Sequence, residues 1–168
     1  TWSAETQSAG FFWLARLACR RRDYEEALEY IEKSMIRNWH NMKGRTLKAA
    51  ILRTLGVDST TFVKECLKID PLSQGCLYEQ AAATDDYDLW LKTMRTESHN
   101  FKELAQEYIE AGLYEDAIRI LRACPQKDPI CWYTLGYVYK QLKEGEKAKE
   151  AFENGEKSCP DYSFPNRV

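Results

Sequence analysis

The residues that could do chemistry in this sequence are few and are not grouped. The two histidines, His40 and His99, are not accompanied by a nucleophile motif such as G-x-S-x-G. A catalytic imidazole needs a nucleophile or a carboxylate within hydrogen-bond reach, and no pattern supplies one. Acidic pairs such as Asp85-Asp86 flank predicted helix starts, where negative charge suits the helix dipole, and they do not resemble a glycosidase pair. The sequence therefore predicts neither enzymatic activity nor a bound cofactor.

Cysteines are the second possible source of chemistry, as metal ligands or as disulfides. The six positions are Cys19, Cys66, Cys76, Cys124, Cys131 and Cys159. No C-x-x-C pair occurs and no histidine lies at zinc-finger spacing, so no metal site is predicted. An even count would allow disulfides in a secreted protein, but free thiols packed between helices are the favoured interpretation. This interpretation favours a cytoplasmic location.

Composition limits the class of protein. The chain has 168 residues, of which 44% are hydrophobic and 30% charged, and this is ordinary for one globular domain. A formal net charge of −2 disfavours nucleic acid as a partner, and no apolar run is long enough to span a membrane. Because the chain starts without a methionine, we expect residues 1–168 to be a single domain excised from a longer protein.

Helical spacing is clearest in residues 129–160. The landmark residues of this segment are Trp132, Leu135, Gly136, Tyr139, Ala148, Phe152 and Pro160. Trp132, Leu135 and Tyr139 share one face of a predicted first helix, while Gly136 and Ala148 let a second helix approach closely before the final proline stops it. The segment resembles the tetratricopeptide repeat, a helical hairpin of about 34 residues.

The same pattern recurs along the chain. The small residues at the centre of each first helix are Ala15, Ala49, Ala81, Ala105 and Gly136, with separations of 34, 32, 24 and 31 residues. The third separation predicts a shortened third hairpin and a disturbed repeat near residues 83–100. The resemblance implies an all-α, right-handed superhelical solenoid of about five hairpins, with roughly ten helices and no strand.

A solenoid of this family has a concave groove lined by the first helix of each hairpin. Aligning the repeats on their small residues gives as candidate groove residues Phe12, Arg16, Lys43, Arg53, Tyr78, Lys102, Gln106, Tyr133, Tyr137 and Lys140, with Thr46, Asp85, His99 and Ile109. Aromatic and cationic groups dominate this set and are common at binding hot spots, although a charged surface can also be lopsided by chance. Phe12 and Arg16 stand where repeats that grip a peptide carboxylate carry Lys and Asn, so that clamp is not predicted.

Longer phrases carry a closer resemblance. The phrases NWHNMKGRTLKAAILRTLG, FKELAQEYIEAGLYEDAIRIL and CPDYSFPNR resemble the repeat region of large bacterial proteins of unknown function, in which helical repeats follow a mutarotase-like β-domain. The predicted function is a protein-interaction or scaffolding module, whose partner is a protein, a peptide or the β-domain of its own parent chain. The alternative is an accessory helical segment of a carbohydrate-active protein. RNA binding is a third hypothesis, which the net charge disfavours.

Overall fold

A computed structural model of the chain describes residues 2–158. Within this range the chain forms ten α-helices and no β-strand. The helices are α1 (Ala4–Arg20), α2 (Tyr24–Arg37), α3 (Met42–Thr54), α4 (Thr60–Ile69), α5 (Gln74–Thr84), α6 (Asp88–Met94), α7 (Ser98–Glu110), α8 (Tyr114–Ala123), α9 (Pro129–Gln141) and α10 (Gly145–Lys157). The predicted all-α class is confirmed.

The helix boundaries follow from local side chains. Asn41 begins α3, where its Oδ1 accepts a hydrogen bond from the Gly44 N–H at 3.1 Å, and Asp128 begins α9 by accepting from the Cys131 N–H at 2.7 Å. Each first helix of a hairpin is followed, within two residues of its end, by a residue with left-handed backbone. These residues are Arg22, Gly56, Asp85, Gly112 and Lys143. Only two of the five are glycines, so the turn between the helices of a hairpin tolerates a side chain.

Internal contacts divide the described residues into two units. The first unit runs as far as Thr93 and includes Glu110–Gly112, and the second contains Met94–Ile109 and the residues from Leu113 onwards.

The first unit is built around the predicted small residues. Ala15, Ala49 and Ala81 are almost completely buried, which confirms the repeat register along the first three hairpins. The third hairpin is short as predicted, because α5 has 11 residues and α6 has only 7. Trp90 of α6 fills the core beside Tyr78 of α5, with ring centroids 5.3 Å apart in an edge-on arrangement.

In the second unit, the two helices of the last hairpin approach each other closely at two glycines. A Cβ atom on Gly136 would lie 2.5 Å from Cε1 of Phe152, and one on Gly155 would lie 2.8 Å from Cε1 of Tyr133. These contacts explain why glycine occupies both positions of the α9–α10 hairpin. Helix α10 ends at Lys157, and the predicted stop at Pro160 lies outside the described residues.

Candidate binding surface

In the first unit, most of the predicted groove residues are occupied by contacts within the protein. Arg16 is buried, with its guanidinium carbon 4.3 Å from the Phe12 ring centroid and Nη1 2.6 Å from Oε2 of Glu110 in the same unit. Tyr78 is 0% exposed, so it is a core residue rather than a surface residue. Its burial follows from the short α6, which brings Trp90 against the ring. Lys43 is exposed.

Arg53, another predicted groove residue of the first unit, is held in an ion pair. Its Nε and Nη2 atoms donate to the two carboxylate oxygens of Glu79 at 2.9 and 3.1 Å. Glu79 is fully buried, so this bidentate pair neutralises a carboxylate inside the protein. The pair links α3 to α5 across 26 residues of sequence. Arg53 therefore has a structural partner that its position in the repeat does not reveal.

Helix α9 carries the exposed aromatic residues of the second unit. Tyr133 is 42% exposed and Tyr137 is 44% exposed, and Lys140 on the same side of α9 is exposed as well. Their spacing of four and then three residues places them in one row, which we call the tyrosine stripe. The Tyr133 ring is supported from below by Phe152, with centroids 6.4 Å apart.

Lys102 and Gln106 are the other predicted groove residues of the second unit. Lys102 Nζ lies 2.5 Å from Oδ2 of Asp128, which also accepts a hydrogen bond from the Ser98 hydroxyl at 3.1 Å. Burial opposes ionisation of Asp128, but the Lys102 ammonium and the Cys131 N–H outweigh it and hold the pKa of Asp128 below its ordinary value. Gln106 is half-buried. Lys102 is therefore held at the start of α9 by an ion pair.

The remaining positions of the alignment divide by burial. Thr46 and Ile109 are buried, whereas Asp85 and His99 are exposed.

A cavity that the sequence did not predict lies between α8, α9 and α10. Its volume is about 460 Å³. We call it the α8–α10 pocket; its lining residues are Arg122, Lys127, Trp132, Leu135, Tyr139, Lys147, Glu150, Ala151 and Asn154. Three of these residues are landmark positions of the repeat, which are expected to pack inside, so the sequence pattern itself concealed the cavity.

The cysteines serve as packing groups in the described range. Cys19, Cys66, Cys76, Cys124 and Cys131 are free and buried, as expected, and Cys159 lies outside this range. Burial raises the pKa of Cys19 to about 12. No group of three or more potential metal ligands occurs among residues 2–158.

Two pairs of thiols join the end of one hairpin to the start of the next, Cys66 of α4 with Cys76 of α5 and Cys124 after α8 with Cys131 of α9. Cys66 and Cys76 form a hydrogen bond, which together with the Arg45 guanidinium overcomes burial and lowers the pKa of Cys66 to about 7. The hydrogen bond from Cys131 has the same effect on Cys124, whose pKa is also lowered to about 7. In the second member of each pair, the hydrogen bond and burial both raise the pKa. Because all four thiols are buried, a lowered pKa does not by itself give a reactive site.

The comparison with protein families concerns the last hairpin. Residues 130–162 match the tetratricopeptide repeat. The match coincides with α9 and α10, where Gly136 and Ala148 occupy the small-residue positions. The described helices form an all-α fold of tetratricopeptide-like hairpins. No curated protein matches the sequence.

Three solved structures illustrate the similarity of the fold. MamA (41-end) from Desulfovibrio magneticus RS-1 is 17% identical, with 89% of this chain and 93% of that chain covered and a TM-score of 0.45. YrrB, described as a TPR protein with an unusual peptide-binding site, is 14% identical, with coverages of 91% and 87% and a TM-score of 0.41. A chain in the structure of Naa15/Naa10 bound to HypK-THB is 22% identical, with coverages of 96% and 26% and a TM-score of 0.45.

These similarities do not assign a function, and they do not test the resemblance to proteins with a mutarotase-like domain. That resemblance stays a prediction. In the part of the chain that the structure describes, none of the helices has the length and apolar character required to cross a bilayer.

Proposed function

We propose that this chain is a protein-interaction module that holds a peptide segment of its partner on the tyrosine stripe. The observation that carries the proposal is the exposure of two neighbouring tyrosine rings, 42% and 44%, on one side of α9. Tyrosine offers a flat apolar face and a hydroxyl while losing little side-chain entropy, and it is therefore enriched at interfaces.

The charge beside the rings indicates the kind of segment. Lys140 is exposed at the end of the stripe, and a solvent-facing ammonium attracts acidic side chains or backbone carbonyls. Other cations of the predicted groove are engaged within the protein, Arg53 by Glu79 and Lys102 by Asp128. The proposal therefore narrows the binding surface from a groove along the whole chain to one helix.

The proposed role is binding rather than catalysis. The partner is a protein or a peptide, and we extend the proposal to a partner that is another part of the same polypeptide. The five free cysteines of the described range are consistent with a reducing compartment such as the cytoplasm.

The test starts from peptide selection, because the partner is not known. Peptides displayed on phage are selected against the protein, and the enriched sequence is titrated by calorimetry into the wild type and the Tyr137→Ala/Lys140→Ala variant. Loss of one aromatic anchor and one charge should weaken binding by about 2 kcal/mol, and added salt should weaken the wild-type complex. Tyr133 is left intact because its ring packs beside Phe152.

The matched control removes one exposed apolar residue and one cation elsewhere. Ile36→Ala/Lys149→Ala changes α2 and α10 at exposed positions and should bind the peptide as the wild type does. Equal affinity of the wild type and the stripe variant, with unchanged circular dichroism, would exclude the stripe as the working surface.

A further inference from the structure

Two junctions between hairpins use equivalent positions with different side chains. The first junction consists of α2, α3 and α4 in the first unit, and the second junction consists of α8, α9 and α10 in the second unit. Counted from the helix starts, the ninth residue of α2 or α8, the seventh of α3 or α9 and the third of α4 or α10 correspond. These positions hold Glu32, Lys48 and Phe62 in the first junction, and Arg122, Leu135 and Lys147 in the second.

In the first junction the three side chains contact one another. The Lys48 ammonium lies 3.2 Å from Oε1 of Glu32 and 4.9 Å from the centroid of the Phe62 ring. The Lys48 ammonium thus forms an ion pair with Glu32 on one side and a cation–π contact with Phe62 on the other.

The second junction has the opposite arrangement of charge. Its central side chain is the apolar Leu135, which is only 1% exposed. Cations lie on both sides of it, Arg122 on α8 and Lys147 on α10. Among the described residues, Arg122 makes no ion pair, whereas Lys147 pairs with Glu144. The α8–α10 pocket, with its volume of about 460 Å³, lies between these two cations. The second junction therefore lacks the acid that Glu32 supplies in the first.

A third cation strengthens the positive charge of the pocket. Lys127 Nζ donates to the carbonyl oxygens of Arg122 and Cys124 at 2.9 and 2.6 Å, which fixes the ammonium at the end of α8. These carbonyls carry no net charge, so the positive charge of Lys127 is retained beside the Trp132 ring, 5.5 Å away. Three cations and one acid, Glu150, thus line the pocket, and Glu144 outside the lining pairs with one of the cations, Lys147.

The other lining residues restrict the anion to a particular kind. Trp132, Leu135 and Tyr139 give the pocket an apolar floor, whereas Glu150 and Asn154 add oxygen acceptors for N–H donors. An inorganic anion offers neither an apolar body nor an N–H group, and it is much smaller than the cavity. A peptide with an acidic residue offers a carboxylate for the cations, backbone N–H groups for the oxygen acceptors and a neighbouring side chain for the apolar floor.

We propose that the α8–α10 pocket is a second peptide site, in which an acidic peptide places a carboxylate between Arg122 and Lys147 and an apolar side chain on Trp132 and Tyr139. The site is separate from the tyrosine stripe. At 100° per residue, Trp132, Leu135 and Tyr139 lie on a different side of α9 from Tyr133, Tyr137 and Lys140. The proposal thus does not depend on the function proposed for the stripe.

The experiment follows the indole N–H signal of Trp132 by nuclear magnetic resonance, assigned from the signal missing in Trp132→Phe. The probe is an acetylated and amidated Glu-Leu-Glu peptide, and its matched control is Gln-Leu-Gln. We expect the acidic peptide to shift the indole signal saturably, and the neutral peptide and inorganic phosphate to leave it in place. A signal that no peptide moves, or that both peptides move equally, overturns the proposal, as does binding of phosphate in place of the acidic peptide.

Variants then test the residues. Arg122→Glu restores the acid of the first junction and should raise the Kd of the acidic peptide at least tenfold, because the ligand then meets a like charge. Lys149→Glu changes the net charge equally on an exposed position of α10 outside the pocket, and Tyr137→Ala alters the stripe; both should keep the Kd within about twofold of the wild type. Equal affinity of Arg122→Glu and the wild type, with the other indole signals unchanged, refutes the assignment.

Discussion

The first and second junctions differ in what their central side chains contact, although equivalent helices build them. Helices α3 and α9 both have 13 residues, and Asn41 and Asp128 begin them in the same way. The central positions differ only in side chains, since Lys48 joins Glu32 and Phe62 whereas Leu135 lies below two cations. The difference teaches that junctions with the same packing positions can carry different charges at their rim, and our proposal makes those charges the determinant of binding.

The largest effect on stability is expected at a buried position that the two junctions share. Val63 and Ala148 occupy the fourth position of α4 and α10 and are both buried. Val63→Glu or Ala148→Glu would bury an unpaired carboxylate and should cost about 3–5 kcal/mol in either unit. Urea unfolding measures the loss, and Lys149→Glu, one residue beyond Ala148 and exposed, is the control. A variant as stable as the control would show that the repeat register is wrong at that helix.

A substitution of the central residue of the second junction should lower the free energy of unfolding by a smaller amount. Leu135→Lys places an ammonium beside Arg122 and Lys147, but the open pocket lets it reach water, so we expect a loss of about 2–4 kcal/mol. Adding Arg122→Glu rebuilds the ion pair of the first junction and should return about 1 kcal/mol. A double-mutant cycle from urea unfolding gives the coupling. A coupling of zero would mean that the two junctions are not equivalent.

The caps of α3 and α9 differ in their response to acid. The folded-state pKa of Asp128 lies below its ordinary value of 3.8, so its stabilisation is present above that pH and is lost as the pH falls through the folded-state pKa. Because the ion pair is partly exposed, we expect about 1 kcal/mol or less. Asp128→Asn keeps a capping oxygen, as Asn41 does, and should remove this part of the pH dependence of unfolding.

An unchanged pH dependence in Asp128→Asn would assign the acid response to other carboxylates. The reciprocal variant Asn41→Asp is the control, since it adds a titratable cap at α3.

The smallest effect is expected for the ion pair of the first junction. Glu32 is 51% exposed, and exposed pairs contribute about 0–1 kcal/mol. Lys48→Leu, which copies the second junction, should therefore change the free energy of unfolding by less than about 1 kcal/mol, because leucine also packs on Phe62. A loss above about 2 kcal/mol would show that the pair holds the hairpins together.

Helical spacing predicted the hairpins because it records which positions must be buried. It located the small residues, and the short interval between Ala81 and Ala105 predicted the short third hairpin. It gave no signal for the turn at Lys143, where a non-glycine residue adopts left-handed backbone. Sequence spacing carries little information there, since the turn is imposed by the two helices it joins.

The candidate site was predicted less well, because ion pairs between hairpins leave no periodic signal. Arg53 pairs with Glu79, and Lys102 pairs with Asp128, in both cases across 26 residues. Each pair joins a cation of one first helix to an acid of the next first helix or its cap. Repeat alignment placed the cations on the groove side but gave no information on the acids. Tyr78 was misplaced for a different reason, namely the packing of Trp90 from the short α6.

Helix α6 also has a consequence for the order in which the chain folds. Its 7 residues are far fewer than the roughly 12–15 that a helix needs to be stable alone in water, so its formation depends on burying Trp90 and Met94. The surface that receives the Trp90 indole includes Tyr78, and it exists only after α5 has formed. We therefore expect α6 to form late in folding, and its amide hydrogens to exchange with solvent sooner than those of α3.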